Sequence, residues 1–246
     1  MSRIATIHQP HLLPWLGYYN KLASSDVFII QDDVQFRKLY FQNRTFIKNM
    51  LGQKHRITIP VSFEHTDRIR DVRIAGKQWI LPTLRTIEYS YRNTPYFEPV
   101  WSVIEDTLSH APTRLIDITL PLLEQSIMML GMTELEIVYS SDISKAGSAT
   151  EQLITVLHST ESTACIFGEG GGLAYHDSAE FKNAGVSIIS QRFERNHPVY
   201  AQKWGEFIPG LSVIDALFNI GPPATRYVID KAWRAEIGAG ENASAK

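Results

Sequence analysis

Cysteine is almost absent from this chain: Cys165 is the only one among 246 residues. A single cysteine excludes an intramolecular disulfide framework and any zinc site built from several cysteines. Its setting beside alanine, isoleucine and phenylalanine predicts a strand, where a buried thiol is more often structural than nucleophilic. The sequence therefore gives no support to redox chemistry or to a cysteine-rich metal centre.

Long apolar runs and blocks of like charge are missing too. No stretch approaches the roughly 20 apolar residues that a membrane-spanning helix needs, and the first predicted strand begins without the regions of a signal peptide. The 24 basic and 26 acidic residues are interspersed, so no basic stripe suits nucleic acid or an anionic membrane. We expect a soluble cytoplasmic protein with no membrane span and no nucleic-acid partner.

Strand-like and helix-like segments alternate along most of the chain, which has 44% hydrophobic residues. This alternation predicts a Rossmann-like α/β fold with a largely parallel sheet, helices on both faces and a helical middle segment around residues 77–131. We expect one domain over residues 1–237. A disordered tail is predicted for residues 238–246, which carry no large apolar side chain.

The first two predicted strands both end in polar residues. His8 and Gln9 close the first, and Asp32 and Asp33 close the second. Because the carboxyl ends of neighbouring parallel strands line one crevice, these side chains are expected to face a common ligand. A histidine with an orienting carboxylate can deprotonate an amine or a hydroxyl. We predict His8 as the catalytic base with Asp33 or Asp32 as its partner, and no metal, since successive strand carboxylates point to opposite faces.

Further polar, aromatic and glycine residues are predicted to contact the substrate. Arg44 offers a planar fork for a carboxylate or phosphate, and glycines after the strand that holds Cys165 can present N–H groups to an anion. The alternatives are a solvated loop at residues 42–48, a flexible glycine turn, and helix packing by Asp215. The predicted substrate-binding residues are Gln9, Trp15, Gln42, Asn43, Arg44, Lys48, Gly168, Gly170, Gly171, Tyr200, Gln202 and Asp215.

These motifs resemble the WbqC-like protein family. The resemblance rests on residues 8–10, 13–18, 26–28, 32–35, 42–44, 200–202 and 207–221. It implies a role in bacterial surface-polysaccharide (O-antigen) or related biosynthesis, and transfer of an aminoacyl group such as glycine onto a sugar. The chain departs from the family pattern at His11 and Leu12, where other polar and aromatic residues are usual, so His11 is not assigned to the site.

Three functions stay open. The leading one is a transferase in which His8 activates an amine or hydroxyl acceptor, such as a sugar, for attack on an acyl donor. The second is a nucleotide-dependent activating enzyme, because the opening resembles nucleotidylyl transferases, although Tyr18 stands where their second histidine would be. The third is a non-catalytic sugar or metabolite binder. No cofactor is firmly predicted; a nucleotide or a carrier-bound thioester is the candidate donor, and an acyl-carrier protein and a second copy are candidate partners.

Overall fold

The structure is a computed structural model that describes residues 2–110, 112–168 and 176–234. Its centre is a sheet of five parallel strands, which are β1 (Ile4–His8), β2 (Val27–Ile30), β7 (Glu136–Tyr139), β8 (Ala164–Phe167) and β9 (Ser187–Ser190). Their order across the sheet is β7-β2-β1-β8-β9. The predicted Rossmann-like α/β fold is thereby confirmed.

Two small antiparallel sheets complete the strands. One pairs β3 (Arg44–Lys48) with β4 (Lys54–Thr58), and the other pairs β5 (Val61–Ser62) with β6 (Arg73–Ile74). The β3–β4 hairpin touches the segment after β1, because the Thr45 hydroxyl donates to the Leu13 carbonyl at 3.0 Å. A segment that the sequence presents as irregular thus forms a hairpin that supports the N-terminal motif.

Seven helices are found in the described residues: α1 (Leu16–Leu22), α2 (Ile80–Tyr91), α3 (Phe97–Ser109), α4 (Ile116–Met129), α5 (Ala149–Ser159), α6 (Ser178–Asn183) and α7 (Val213–Ala232). Ser148 and Glu151 form a reciprocal cap that begins α5. The helix α7 bends at Gly221, whose φ of 76° and close approach by Tyr96 both favour glycine. Within the described ranges, no helix has the length and hydropathy to cross a membrane.

The sheet is covered on both faces. Phe28 and Ile30 of β2 belong to the larger apolar cluster, which includes residues of α1, α2, α3, α4 and α7. Val27 and Ile29 point the other way, into a smaller cluster with residues of α5 and α6. Burial on both faces explains why β2 is uniformly apolar. Cys165 is fully buried in the smaller cluster, and burial raises the pKa of its thiol to about 12.

The predicted middle segment corresponds to α2, α3 and α4, while the predicted tail, residues 238–246, lies outside the described residues. The strand order has a further consequence. From β1 the chain adds β2 and β7 on one side, and then crosses to add β8 and β9 on the other. The order therefore reverses between β1 and β8. In open α/β sheets, ligands bind beyond the carboxyl ends of the strands at such a switch point.

Candidate functional site

Four side chains gather where β1 ends, and we call His8, His11, Tyr18 and Lys21 the His8 cluster. The rings of His8 and His11 meet edge to face with their centroids 4.5 Å apart. The ring of Tyr18 lies 4.5 Å from that of His8 and 5.6 Å from that of His11. The Lys21 ammonium stands 5.8 Å from the centre of the Tyr18 ring. The cluster therefore lies beside the switch point of the sheet.

Local backbone geometry builds this arrangement. The chain turns sharply after β1, and Leu13 adopts a φ of 44°, an uncommon value for a residue with a branched side chain. The helix α1 then begins under Trp15, whose indole ring lies so close to Gly17 that a Cβ there would stand 2.5 Å from it. Glycine at this position lets the indole cover the helix. Tyr18 and Lys21, three residues apart on α1, consequently share one face.

The hydrogen bonds of His8 define its tautomer. Its Nδ1 lies 3.0 Å from the carbonyl oxygen of Gln9, and the Tyr18 hydroxyl donates to the same oxygen at 3.0 Å. A carbonyl only accepts, so Nδ1 carries the ring proton and Nε2 carries the free lone pair of the neutral imidazole. His8 is half-buried. The geometry thus presents a fixed ring with one nitrogen available as a base.

Burial and positive charge control the protonation of the cluster. Burial, the Lys21 ammonium and His11 lower the pKa of His8 well below its usual value, against the Gln9 carbonyl, which raises it. Burial and Lys21 lower the pKa of His11 to about 3. Burial also lowers the pKa of Lys21 to about 8, and only the Cys165 thiol opposes this. At neutral pH both imidazoles are neutral and Lys21 is largely protonated.

The carboxylates predicted to orient His8 are engaged elsewhere. Asp33 forms a salt bridge with Lys145, and the backbone N–H of Ser141 donates to Asp32 at 3.1 Å. Burial is the largest single influence and raises the pKa of Asp33, but the hydrogen bond and charge of Lys145 together with hydrogen bonds from Ser140 and the backbone outweigh it, so the pKa of Asp33 is lowered. Both contacts lie on the β7 side of β2. Neither carboxylate therefore forms the predicted hydrogen bond with His8. The Gln9 carbonyl accepts the hydrogen bond from His8 Nδ1 instead.

Asp32 borders a separate cavity of about 380 Å³ beside α4. Its charged walls include Arg70, Arg114 and Glu124. Arg114 is paired with Asp117 at 2.8 Å. Asp32 thus faces a different space from that of His8. No group of three or more His, Cys, Asp or Glu side chains in the described part of the chain could hold a metal ion.

The three residues predicted to bind substrate at positions 42–44 contact different parts of the protein. The Gln42 side chain is buried and donates to Gln9 Oε1 at 2.8 Å, so it fixes a neighbour of His8. Asn43 donates to the Ile59 carbonyl at 2.8 Å and thereby braces the β3–β4 region. The Arg44 guanidinium lies 5.9 Å from the centre of the Phe41 ring. Only Gln42 is linked by a hydrogen bond to the motif that ends β1.

Lys48, Tyr200, Gln202 and Asp215 come together, as parts of a second buried network. The hydroxyls of Tyr91 and Tyr200 each donate to Asp215 at 2.8 Å, and Lys48 donates to Gln202 at 3.4 Å. Burial raises the pKa of Asp215, although the tyrosine hydroxyls and Lys48 oppose the increase. Asp215 is fully buried and both of its oxygens are satisfied inside the protein. This network braces β3, α2 and α7.

The other predicted residues lie around the crevice. Trp15 packs edge to face on Phe193 at 5.3 Å and stacks with His197 at 6.2 Å, so it forms a wall. Gly168 directly follows β8, and a Cβ on it would lie 3.9 Å from Lys21 Nζ. Gly170 and Gly171 lie outside the described residues.

Sequence reasoning missed Lys21 and set His11 aside. Every residue of α1 is buried, Lys21 included, at 4% exposure. The signal was present: Lys21 is the one charged residue within the apolar and aromatic segment 16–22. His11 is 5% exposed and its Nε2 has no hydrogen-bond partner. Two features therefore indicate the His8 cluster. One is a lysine inside a short buried helix, and the other is a second histidine three residues after the first.

The parallel sheet and the polar cluster at its switch point define a Rossmann-like α/β protein with a candidate small-molecule site between β1 and β8. The chain belongs to the WbqC-like protein family, whose model matches residues 9–227. It is also 29% identical over 231 residues to "Uncharacterized protein Rv1507c" of Mycobacterium tuberculosis (strain ATCC 25618 / H37Rv), a match that covers 93% of this chain and 98% of that protein. The family that the motifs predicted is thereby confirmed.

Proposed function

We propose that this protein transfers an acyl or aminoacyl group, such as glycine, to an amine or hydroxyl acceptor, with His8 as the base. Support comes from the fixed orientation of His8 at the switch point, where the Gln9 carbonyl holds Nδ1–H and leaves Nε2 free. The resemblance to the family adds the setting, which is the synthesis of bacterial surface polysaccharide or a related product, with a sugar as acceptor.

In the proposed reaction, His8 Nε2 removes the proton from the acceptor as its nitrogen or oxygen attacks the acyl carbonyl carbon. The new bond joins the acceptor to the acyl group, and the bond between that group and its carrier breaks. His8 then returns the proton to the leaving sulfur or oxygen. The donor must be activated beforehand, as a carrier-bound thioester or a nucleotide ester.

The orienting role that the sequence assigned to Asp33 passes to the backbone in this scheme. Both Tyr18 and His8 donate to the Gln9 carbonyl, and Gln42 holds the Gln9 side chain. A carbonyl keeps the ring in one tautomer, but unlike a carboxylate it adds no full negative charge for the imidazolium that forms. The protonated state of His8 therefore needs support from another negative group.

The second candidate is nucleotide-dependent activation. The contact between the rings of His8 and His11, with the Lys21 ammonium 5.8 Å from the neighbouring Tyr18 ring, favours it, because an ammonium and an imidazole N–H can stabilise the charge of a phosphoryl group. Saturable binding of ATP or CTP by the purified protein would support this activity. Affinity for a sugar nucleotide, with no product from any donor, would instead identify a binder.

The test is a mass-spectrometric screen for product with sugar nucleotides and with carrier thioesters from neighbouring genes. Once a product is found, His8→Asn is compared with His55→Asn, which alters an exposed histidine on β4. We expect His8→Asn to keep ligand affinity and to lose turnover by about 10²-fold or more, while His55→Asn behaves as the wild type. Unchanged turnover in His8→Asn would refute the assignment of the base.

A further inference from the structure

Lys21 is a buried charge without a matching countercharge among the described residues. It is 4% exposed, and no salt bridge joins it to a carboxylate of residues 2–110, 112–168 or 176–234. The neighbouring ring of Tyr18 lies 5.8 Å away and offers only its π face. An unpaired ammonium in an apolar setting is costly, so such groups are usually paired with an anion. The described protein does not supply that anion.

The ammonium lies where the topology predicts a ligand. Gly168 follows β8 on one side of the switch point, and His8 closes β1 on the other. A Cβ on Gly168 would lie 3.9 Å from Lys21 Nζ and 3.8 Å from the carboxamide oxygen of Gln191. The Gln191 amino group is already bound, since it donates to the Gly17 carbonyl and to Asn20, both at 2.8 Å. Lys21 Nζ thus lies next to Gly168, near a Gln191 side chain that is held by two hydrogen bonds.

An independent sign of a missing partner is found in the same cluster. His11 is 5% exposed, its ring contacts that of His8, and its Nε2 has no hydrogen-bond partner. Buried polar atoms without partners are uncommon in folded proteins, and they often mark a place for a ligand or an ordered water. A buried imidazole nitrogen without a hydrogen-bond partner and an ammonium without a described carboxylate partner therefore occur together at the end of β1.

We infer that Lys21 is the anchor of an oxyanion-binding subsite between β1 and β8, and that it holds a phosphate or carboxylate group of the substrate beside His8. Lys21 supplies a point charge, which suits either group. Gly168 has no side chain, and a Cβ on it would lie 3.9 Å from Nζ, which places the ammonium directly beside the end of β8. The inference deepens the proposed function and rests on it for the identity of the bound anion as part of a substrate.

The subsite would also couple substrate binding to basicity. Among the described residues, the groups that face His8 are Lys21 and Tyr18 on α1, His11 in the turn, and the Gln9 carbonyl. Cys165 on β8 interacts with Lys21. Apart from burial, Lys21 is the largest influence that lowers the pKa of His8. A bound anion offsets this charge and moves the pKa of His8 back toward its usual value. The substrate would thereby activate its own base.

Calorimetric titration with inorganic phosphate and with acetate tests the subsite directly. The wild type is compared at pH 7 with Lys21→Met and with Lys182→Met, which removes an exposed lysine on α6. We expect saturable binding of at least one anion to the wild type and to Lys182→Met. In Lys21→Met we expect binding weaker by about tenfold or more. The tighter of the two anions identifies the group. Equal affinity in Lys21→Met, or no saturable binding of either anion, would overturn the inference.

Histidine titration by NMR provides a readout that does not depend on affinity. We expect the pKa of His8 to rise when the anion binds to the wild type, and to be higher in free Lys21→Met than in the free wild type. An unchanged His8 titration in both experiments would contradict the coupling. Near-ultraviolet circular dichroism of Lys21→Met establishes that the comparison is made on folded protein.

His8→Asn separates failure of the subsite from failure of the proposed function. This variant keeps Lys21 and is expected to bind the preferred anion within about threefold of the wild type, because one neutral contact contributes modestly. Retained anion binding with no transfer from any donor would leave the subsite standing and refute the transferase. Transfer activity that depends on His8, in a protein that binds neither anion, would refute the subsite alone.

Discussion

Replacement of Lys21 by methionine is expected to stabilise the fold. Lys21 is almost fully buried, and burial lowers its pKa from 10.5 to about 8. At about 1.4 kcal/mol for each tenfold change in proton affinity, this difference corresponds to about 3 kcal/mol of unfavourable free energy for the charged form. Methionine has a similar length and fills the same apolar space without the charge. We expect Lys21→Met to raise the free energy of unfolding at pH 7 by about 1 to 3 kcal/mol.

The sign and size of this effect depend on pH in a defined way. Because the pKa of Lys21 is lower in the folded state than in the unfolded state, its cost is fully present below about pH 8 and disappears as pH rises toward 10.5. At pH 9.5 the unfolded lysine is still mostly charged but the folded one is not, so about half of the cost has gone. The advantage of Lys21→Met should shrink accordingly.

Urea unfolding at pH 7 and pH 9.5 measures both quantities for the wild type, Lys21→Met and Lys182→Met. The exposed control is expected to stay within about 0.5 kcal/mol of the wild type at both pH values. An unchanged slope with urea would show that the comparison concerns stability and not compactness. A Lys21→Met protein that is less stable than the wild type, or whose advantage does not fall with pH, would refute the description of Lys21 as a buried cation that no carboxylate of the described residues pairs.

Three further substitutions probe the surroundings. Asp215→Ala should cost about 3 to 5 kcal/mol in urea unfolding, because it leaves the partners of a buried carboxylate unsatisfied; a loss below 1 kcal/mol would exclude the bracing role. Gly17→Ala should cost about 1 to 3 kcal/mol and alter the near-ultraviolet spectrum, because the new Cβ would meet Trp15 at 2.5 Å; an unchanged spectrum would contradict this packing. Lys145→Met should destabilise the protein at pH 7 by about 1 to 3 kcal/mol. Since the pKa of Asp33 is lowered in the fold, that difference should shrink as pH falls below 3.8, and a constant difference would argue against the ion pair.

The fold class was predictable because its signals are local. Short apolar runs such as residues 27–30, followed by polar residues and then helical spacing, are enough to indicate parallel strands joined by helices. The order of the strands was not predictable in the same way. The pairing of Ala5 with Cys165 joins residues that are far apart in the sequence, and it is this pairing that creates the switch point beside His8.

The site was predictable only where a strand end marks it. His8 was identified from its place after β1, but its partner was misassigned, because Lys145 comes from beyond β7 to pair with Asp33. Lys21 was missed for another physical reason. A lysine in an amphipathic helix is expected on the exposed face, yet every residue of α1 is buried. Asn20 donates to the Ile229 carbonyl of α7 at 2.8 Å, while Lys21 lies beside Gly168 at the end of β8. Only the tertiary packing makes Lys21 a buried charge.

The network around Asp215 and the His8 cluster differ in how completely their polar groups are paired. This difference distinguishes a structural network from a candidate binding site. Asp215 is as buried as any side chain, but both of its oxygens accept hydrogen bonds from tyrosines and the network is complete within the protein. Lys21 and His11 are almost as buried, but no described carboxylate forms a salt bridge with Lys21, and His11 Nε2 has no hydrogen-bond partner. A complete network stabilises the fold and needs no ligand. An incomplete one costs stability, and a protein keeps such a cost where a bound group removes it. We therefore propose the His8 cluster as the place where a substrate binds, and not the network around Asp215.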